Sequence, residues 1–208
     1  MAQFFAIHAT HPQPRLVRQA ADLVRKGGLI VYPTDSCYAL GCDLASARGV
    51  ERLRRVRGID ERHHLTLMCR DIAEIAQYAI VDETAYRFLK VGGSYTFILR
   101  ARRPVPRRLI HPRRKTIGVR VSGHPIAHAL LAELDAAMLS ATLILPGDAQ
   151  PLSEPGEIRA RLEHAVDLVI DGGPCGVEPS TVIDLSGAAP LVLRKGKGSL
   201  APFALHPV

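Results

Sequence analysis

Between residues 15 and 26 apolar side chains recur at Leu16, Ala20, Leu23 and Val24, the three-and-four spacing of one helical face, and Gly27 and Gly28 supply a stop. The run 29–33, LIVYP, reads as a short strand buried on both faces. A helix over 46–57 follows, then a strand at 66–70, helices at 71–78 and 82–90, and strands at 95–101 and 116–121. Over 124–134, Ile126, Leu130, Leu131 and Leu134 share a helical face, and Pro125 is tolerated in the first turn. A strand at 138–143 leads to a helix for which Ser153 is the expected cap, with Pro155 and Glu157 in its first turn. Three short strands, 168–171, 180–185 and 191–196, close the chain between Gly and Pro loops. This alternation, without repeats, low-complexity tracts or long linkers, predicts one α/β domain over residues 13–198, with residues 1–12 and 199–208 as terminal extensions.

The 208 residues are 47% hydrophobic and 23% charged, enough for one well-filled core. No apolar run approaches the roughly 18 residues a membrane helix needs, and the N-terminus lacks a leader pattern, so a cytoplasmic protein without membrane partners is expected. Cys37, Cys42, Cys69 and Cys175 show no C-x-x-C spacing and no paired-His pattern, which points to reduced thiols. His63 and His64 stand among arginines that would repel a metal cation, and no metal site is expected.

Charge is uneven along the chain. Residues 1–120 hold 22 Lys or Arg against 10 Asp or Glu, whereas residues 121–208 hold 5 against 10. Between Glu83 and Glu133 there are eleven basic residues and no acidic one. Arg outnumbers Lys by 22 to 5, and the guanidinium fork suits bidentate phosphate or carboxylate recognition. Codon bias explains such a ratio equally well, and a basic stretch is often only a solvated face. Arg102, Arg103, Arg107, Arg108, Arg113, Arg114 and Lys115 are therefore candidates for RNA phosphate contacts. Tyr95 and Phe97 lie in strand periodicity, which favours a core role over base stacking, so structured or double-stranded RNA, such as tRNA, is the better match.

No phosphate-binding P-loop, G-x-G-x-x-G turn, H-E-x-x-H or G-x-S-x-G motif is present. What remains is a set of strand-end segments rich in hydroxyl, Arg and Gly, where α/β sheets place ligands: YPTDSCYALG, TIGVRV, DGGPCGVEPSTVID and LRKG. In this order and spacing they resemble the YrdC family of threonylcarbamoyl-AMP synthases, and most of all its YciO branch, from about Gln13 to Gly198. The family pattern PTDT-x-YGLG reads Pro33 to Gly41 here. The resemblance implies an open, twisted mixed sheet with helices around a large basic cavity. It also implies a reaction of ATP, with Mg as part of the substrate, L-threonine and bicarbonate to threonylcarbamoyl-adenylate and pyrophosphate, in the t6A pathway of tRNA modification, with no tightly bound cofactor.

Carried over by position, the resemblance implies substrate contacts at Thr34, Ser36, Arg57, Thr116, Arg120, Ser140, Thr142, Ser180 and Arg194. Arg120, Arg194 and Arg55 would cradle phosphates in place of a P-loop. Arg120 sits in an apolar strand, where a half-buried guanidinium needs an anionic partner. Asp35 and Asp184 are turn or strand-end acids that would assist a metal only indirectly. The catalytic residues stay unassigned.

Two departures separate the chain from the synthases. The family's Lys-x-Arg-Pro falls on Arg57, Gly58, Ile59 and Asp60, replacing the second cation, and Arg52, Arg54 and Arg55 are the available substitutes. Its Ser-Ala-Asn falls on Thr142, Leu143 and Ile144, removing an amide. The expectation is accordingly a synthase-like protein with weakened or altered activity. A hydrolase of threonylcarbamoylated nucleotide or tRNA, and an RNA-binding protein without pocket chemistry, stay open as alternatives.

Overall fold

The computed structural model describes residues 1–61 and 63–205. Residues 206–208, within the expected C-terminal extension, lie outside the described residues. The strands are β1 (Gln3–Ala6), β2 (Ile30–Tyr32), β3 (Ala39–Asp43), β4 (Thr66–Cys69), β5 (Tyr95–Arg100), β6 (Thr116–Val121), β7 (Met138–Thr142), β8 (Leu168–Asp171), β9 (Thr181–Asp184) and β10 (Leu191–Arg194). The helices are α1 (Pro14–Arg25), α2 (Ala47–Arg57), α3 (Ile72–Tyr78), α4 (Glu83–Leu89), α5 (Pro125–Leu134) and α6 (Pro155–Leu162).

Local chemistry sets the helix starts. Ser46 caps α2 by accepting from the Gly49 amide at 3.0 Å, Asp71 caps α3 from Glu74 at 2.7 Å, and Asp82 caps α4 from Ala85 at 2.8 Å. α1, α5 and α6 begin with proline, whose preset φ and missing N–H suit the first helical position, and at α5 His124 Nδ1 also accepts from the Ile126 amide. The expected Ser153 cap is not formed: Glu154 occupies the cap position without a side-chain bond, and Pro155 alone starts α6.

The strands form one mixed sheet in the order β1-β8-β2-β3-β7-β4-β6-β5-β9-β10. Two of them lack a periodic signal. β1, within the segment expected as an extension, pairs in parallel with β8 and forms one edge. β3 is buried at every position but Asp43, so its residues show no alternation. Gly41 is required there, because a Cβ would stand 2.8 Å from both the Tyr32 ring and the Met138 side chain.

Alternation along the strands divides the two faces. One face of the central strands carries Leu67, Cys69, Phe97, Leu99, Ile117, Val119 and Leu139 into the larger core, together with Val50 and Leu53 of α2, Ile75 of α3 and Ile158 of α6. The opposite face carries Ile30, Tyr32, Ala39, Met68, Met138, Leu168 and Ile170 against Val17, Ala20 and Val24 of α1 and Ile126, Leu130 and Leu131 of α5. These two helices cover the sheet only as far as β4. Beyond it, the same face turns polar.

Candidate functional site

The uncovered part of that face is the floor of a cavity of about 270 Å³, near the lower end of the roughly 300–1,000 Å³ usual for small-molecule sites. Strand register brings its residues together. Met68 lies opposite Arg120, Thr66 opposite Ser140, and Thr96 opposite Val182, so side chains far apart in sequence point to one side. Thr34, Arg57, Arg120, Ser140, Thr142, Ser180 and Arg194, seven of the expected contacts, line it.

The hydroxyls are anchored in pairs. Ser140 Oγ is 2.7 Å from the Tyr32 hydroxyl, Ser180 Oγ is 2.8 Å from Thr96 Oγ1, and Thr34 Oγ1 donates to the Cys37 carbonyl at 2.7 Å. Hydroxyls fixed in this way need little reorientation when a ligand arrives.

Arg120 is 5% exposed and donates through Nη2 to Asp35 Oδ1 at 2.9 Å and to Ser36 Oγ at 3.0 Å. Its Nε, also buried, has no hydrogen-bond partner. Asp35 additionally accepts from Ser122 at 2.5 Å and Ser94 at 2.6 Å. Burial alone would raise its pKa, but Arg120, Ser122 and Ser94 outweigh burial and hold the carboxyl below its ordinary value. Arg194, on the edge strand, donates through Nε and Nη2 to the Ser180 carbonyl at 3.1 and 2.8 Å. Arg57 donates through Nη1 to the Ile144 carbonyl. Burial lowers the Arg57 pKa and the charge of Arg194 adds to it, which is the signature of two cations facing one space. Cys37 also lines the cavity, and burial pushes its thiol up, so it presents a neutral group.

Three expected contacts are placed differently. Arg55 is exposed and paired across one helical turn with Glu51 at 2.9 Å. Two residues after the buried Leu53 it points away from the sheet, whereas Arg57, one full turn after Leu53, stays against it. Ser36 stands behind the wall and acts on Arg120. Thr116 is buried on the cavity face, but its hydroxyl is 3.0 Å from His64 Nε2, and it is His64 that reaches the lining.

Sequence reasoning passed over His63 and His64 except as poor metal ligands, yet both line the cavity; their place directly before a strand was the available signal. Asp35 and Asp184 serve as ion-pair partners of Arg120 and Arg114. Among the described residues no group of three or more His, Cys, Asp or Glu is disposed to hold a metal ion, and no helix is long and apolar enough to cross a membrane.

The chain beyond β10 straps one rim. Lys197 Nζ donates to the Asp35 carbonyl at 2.5 Å, Gly198 accepts from Thr181 Oγ1 at 2.6 Å, and Ser199 accepts from the Tyr95 hydroxyl at 2.7 Å. Residues 102–115 lie outside the cavity. All seven basic candidates there are exposed; Arg108 is tied to the Leu44 and Ala45 carbonyls and Arg114 to Asp184, and of the other five Arg102, Arg103, Arg107 and Lys115 line two surface depressions, whereas Arg113 lines neither.

A mixed sheet with two helices on half of one face and a guanidinium-lined cavity on the other half defines a single-domain α/β protein with a basic cavity. The chain belongs to the Sua5/YciO/YrdC family, whose sequence model, described as telomere recombination, matches residues 22–196. It is 52% identical to YciO of Escherichia coli over 205 residues, 98% of this chain and 100% of YciO, and the crystal structure of E. coli YciO matches with a TM-score of 0.95. It is 32% identical to the threonylcarbamoyl-AMP synthase of Halorhodospira halophila over 174 residues, 82% of this chain and 90% of the synthase. Sua5 of P. abyssi, in a crystal structure with L-threonine, shares the fold at a TM-score of 0.88 and 24% identity, covering 96% of this chain and 59% of Sua5.

Proposed function

We propose that the cavity binds ATP and L-threonine and forms threonylcarbamoyl-adenylate from them and bicarbonate, with activity altered relative to the synthases. The carrying observation is the convergence of Arg57, Arg120 and Arg194 on one cavity, with Asp35, among the described residues, the ion-pair partner of Arg120 at its wall. A triphosphate supplies the missing negative charge, and charge-assisted bonds from fixed guanidinium groups stabilise it most where charge shifts towards the departing pyrophosphate. The enclosed volume suits the reacting end of the nucleotide, with the remainder extending through the mouth. In the reaction the amine nitrogen of threonine bonds to the bicarbonate carbon with loss of water. The resulting carbamate oxygen then bonds to the α-phosphorus as the bond to pyrophosphate breaks.

The contact from Arg57 to the Ile144 carbonyl supports the altered activity. It draws the residue at the family's Lys position towards the segment where the synthases carry Ser-Ala-Asn. Calorimetry with ATP, with and without L-threonine and bicarbonate, followed by assay of pyrophosphate and adenylate in the same sample, tests the reading. Threonine-dependent tightening with pyrophosphate release is expected; absence of both overturns it.

A second surface supports RNA as a further partner: Arg102, Arg103, Arg107 and Lys115 form an exposed basic cluster on a loop whose charged side chains do not line the cavity. Phosphate contacts of that kind fit tRNA held near the site by charge rather than by base readout. A cytoplasmic location accords with either partner.

A further inference from the structure

One wall of the cavity carries a histidine held from two sides. The parallel register of β4 and β6 places Thr66 opposite Gly118, and continuing it two residues back along both strands sets His64 beside Thr116. His64 Nε2 lies 3.0 Å from Thr116 Oγ1. Its ring stacks on His111 with centroids 4.6 Å apart and planes 21° from parallel. His111 is itself fixed, its amide donating to the Thr116 carbonyl at 2.9 Å and its carbonyl accepting from the Lys115 amide at 3.0 Å. The imidazole so held lines the same cavity as Arg57, Arg120 and Arg194.

We propose that His64 accepts the proton that the threonine ammonium must lose before its nitrogen can react, with Thr116 and His111 as positioning residues. This rests on the nucleotide reading given above. An ammonium has no lone pair, so the imidazole first takes one N–H proton. The freed amine then forms the N–C bond to bicarbonate, a C–O bond breaks and water leaves, and the imidazolium returns its proton to solvent. With Nε2–H donating to Thr116 Oγ1, the Nδ1 lone pair is the accepting one. The surroundings keep the ring uncharged near neutral pH. Burial lowers its pKa, His111, Arg114 and His63 act in the same direction, and Asp184 opposes them. A neutral base among arginines also leaves the field of the cavity positive, so anion binding and proton acceptance do not compete for one side chain.

His64→Gln preserves a hydrogen bond to Thr116 but cannot titrate. The expected result is a roughly 10²- to 10³-fold fall in pyrophosphate release, loss of the acid limb of the pH–rate profile, and an unchanged Kd for ATP by calorimetry. Thr116→Val is expected to lower kcat while leaving KM for ATP in place. A His64→Gln protein with the wild-type rate and pH profile, or an equal loss in His128→Gln, an exposed position on α5 outside the cavity, overturns the proposal. A wild-type protein that binds ATP but releases no pyrophosphate at any pH overturns this inference and leaves nucleotide binding standing, whereas one that binds no ATP overturns both. Ring ¹⁵N spectra of the wild-type protein test the base without turnover: a neutral His64 protonated at Nε2 is expected at pH 7, and a charged ring or the Nδ1–H tautomer contradicts the proposal.

Discussion

Arg120 Nη2 and Asp35 Oδ1 stand 2.9 Å apart at the cavity wall, a guanidinium from near the C-terminal end of β6 meeting a carboxylate from the loop between β2 and β3, 85 positions away in sequence. Their side chains are 6% and 19% exposed. A pair this enclosed contributes through what each partner would cost if left alone more than through net attraction. Because Ser94, Ser122 and Lys197 also bond to Asp35, the same pair couples the sheet, the loop and the C-terminal strap.

Asp35→Asn is expected to destabilise the fold by about 1.5–3 kcal/mol near pH 7, the usual worth of hydrogen bonds to a charged group, measured by urea denaturation. The pH dependence has a definite sign. The folded-state pKa of Asp35 lies below its ordinary value, so its contribution is present above the unfolded pKa of about 3.9 and is lost as pH falls through the folded value. The variant should lack that acid component of stability loss.

Arg194→Ala is expected to weaken ATP binding by about 1.5–3 kcal/mol, roughly 10- to 100-fold in Kd. Arg55→Ala, which removes only a surface pair with Glu51, should leave Kd unchanged. Calorimetry on both variants checks the contrast, and equal effects would contradict the assignment of the cavity.

Gly198→Ala places a Cβ 2.3 Å from the Tyr95 ring, which itself packs against Phe203. Strain of that kind is expected to cost about 1–3 kcal/mol and to release the strap. Limited proteolysis should cut the variant after β10 before the rest of the chain is attacked.

If the loop 102–115 contacts RNA through phosphates, log K should fall linearly with log salt, with a slope of about −0.9 for each phosphate engaged on a duplex. Charge reversal at Arg102, Arg103 and Arg107 together should flatten that slope and leave ATP binding intact. Filter binding of structured RNA from low to moderate salt checks this, and a slope near zero in the unaltered protein removes the RNA reading.

Most of the elements were legible because their signals are local. Ser46, Asp71 and Asp82 each sit where a helix begins, and the helical spacing through Leu16, Ala20, Leu23 and Val24 matches α1. β1 and β3 were not, the first being short and half-buried at an edge, the second buried throughout. Arg57, Arg120 and Arg194, expected by resemblance at strand and helix ends, all line the cavity. Arg55 was misplaced because the choice between two neighbouring arginines depends on which side of α2 meets the sheet.

The order of amino acids by itself determined the α/β class, the helix starts at Ser46, Asp71 and Asp82, and the excess of positive charge. Only the tertiary structure decided which charges face one another. Strand order and register joined Arg120 to Asp35, His64 to Thr116 and Ser140 to Tyr32. Such contacts depend on how the strands lie side by side in the sheet, a long-range property that no stretch of a dozen residues encodes.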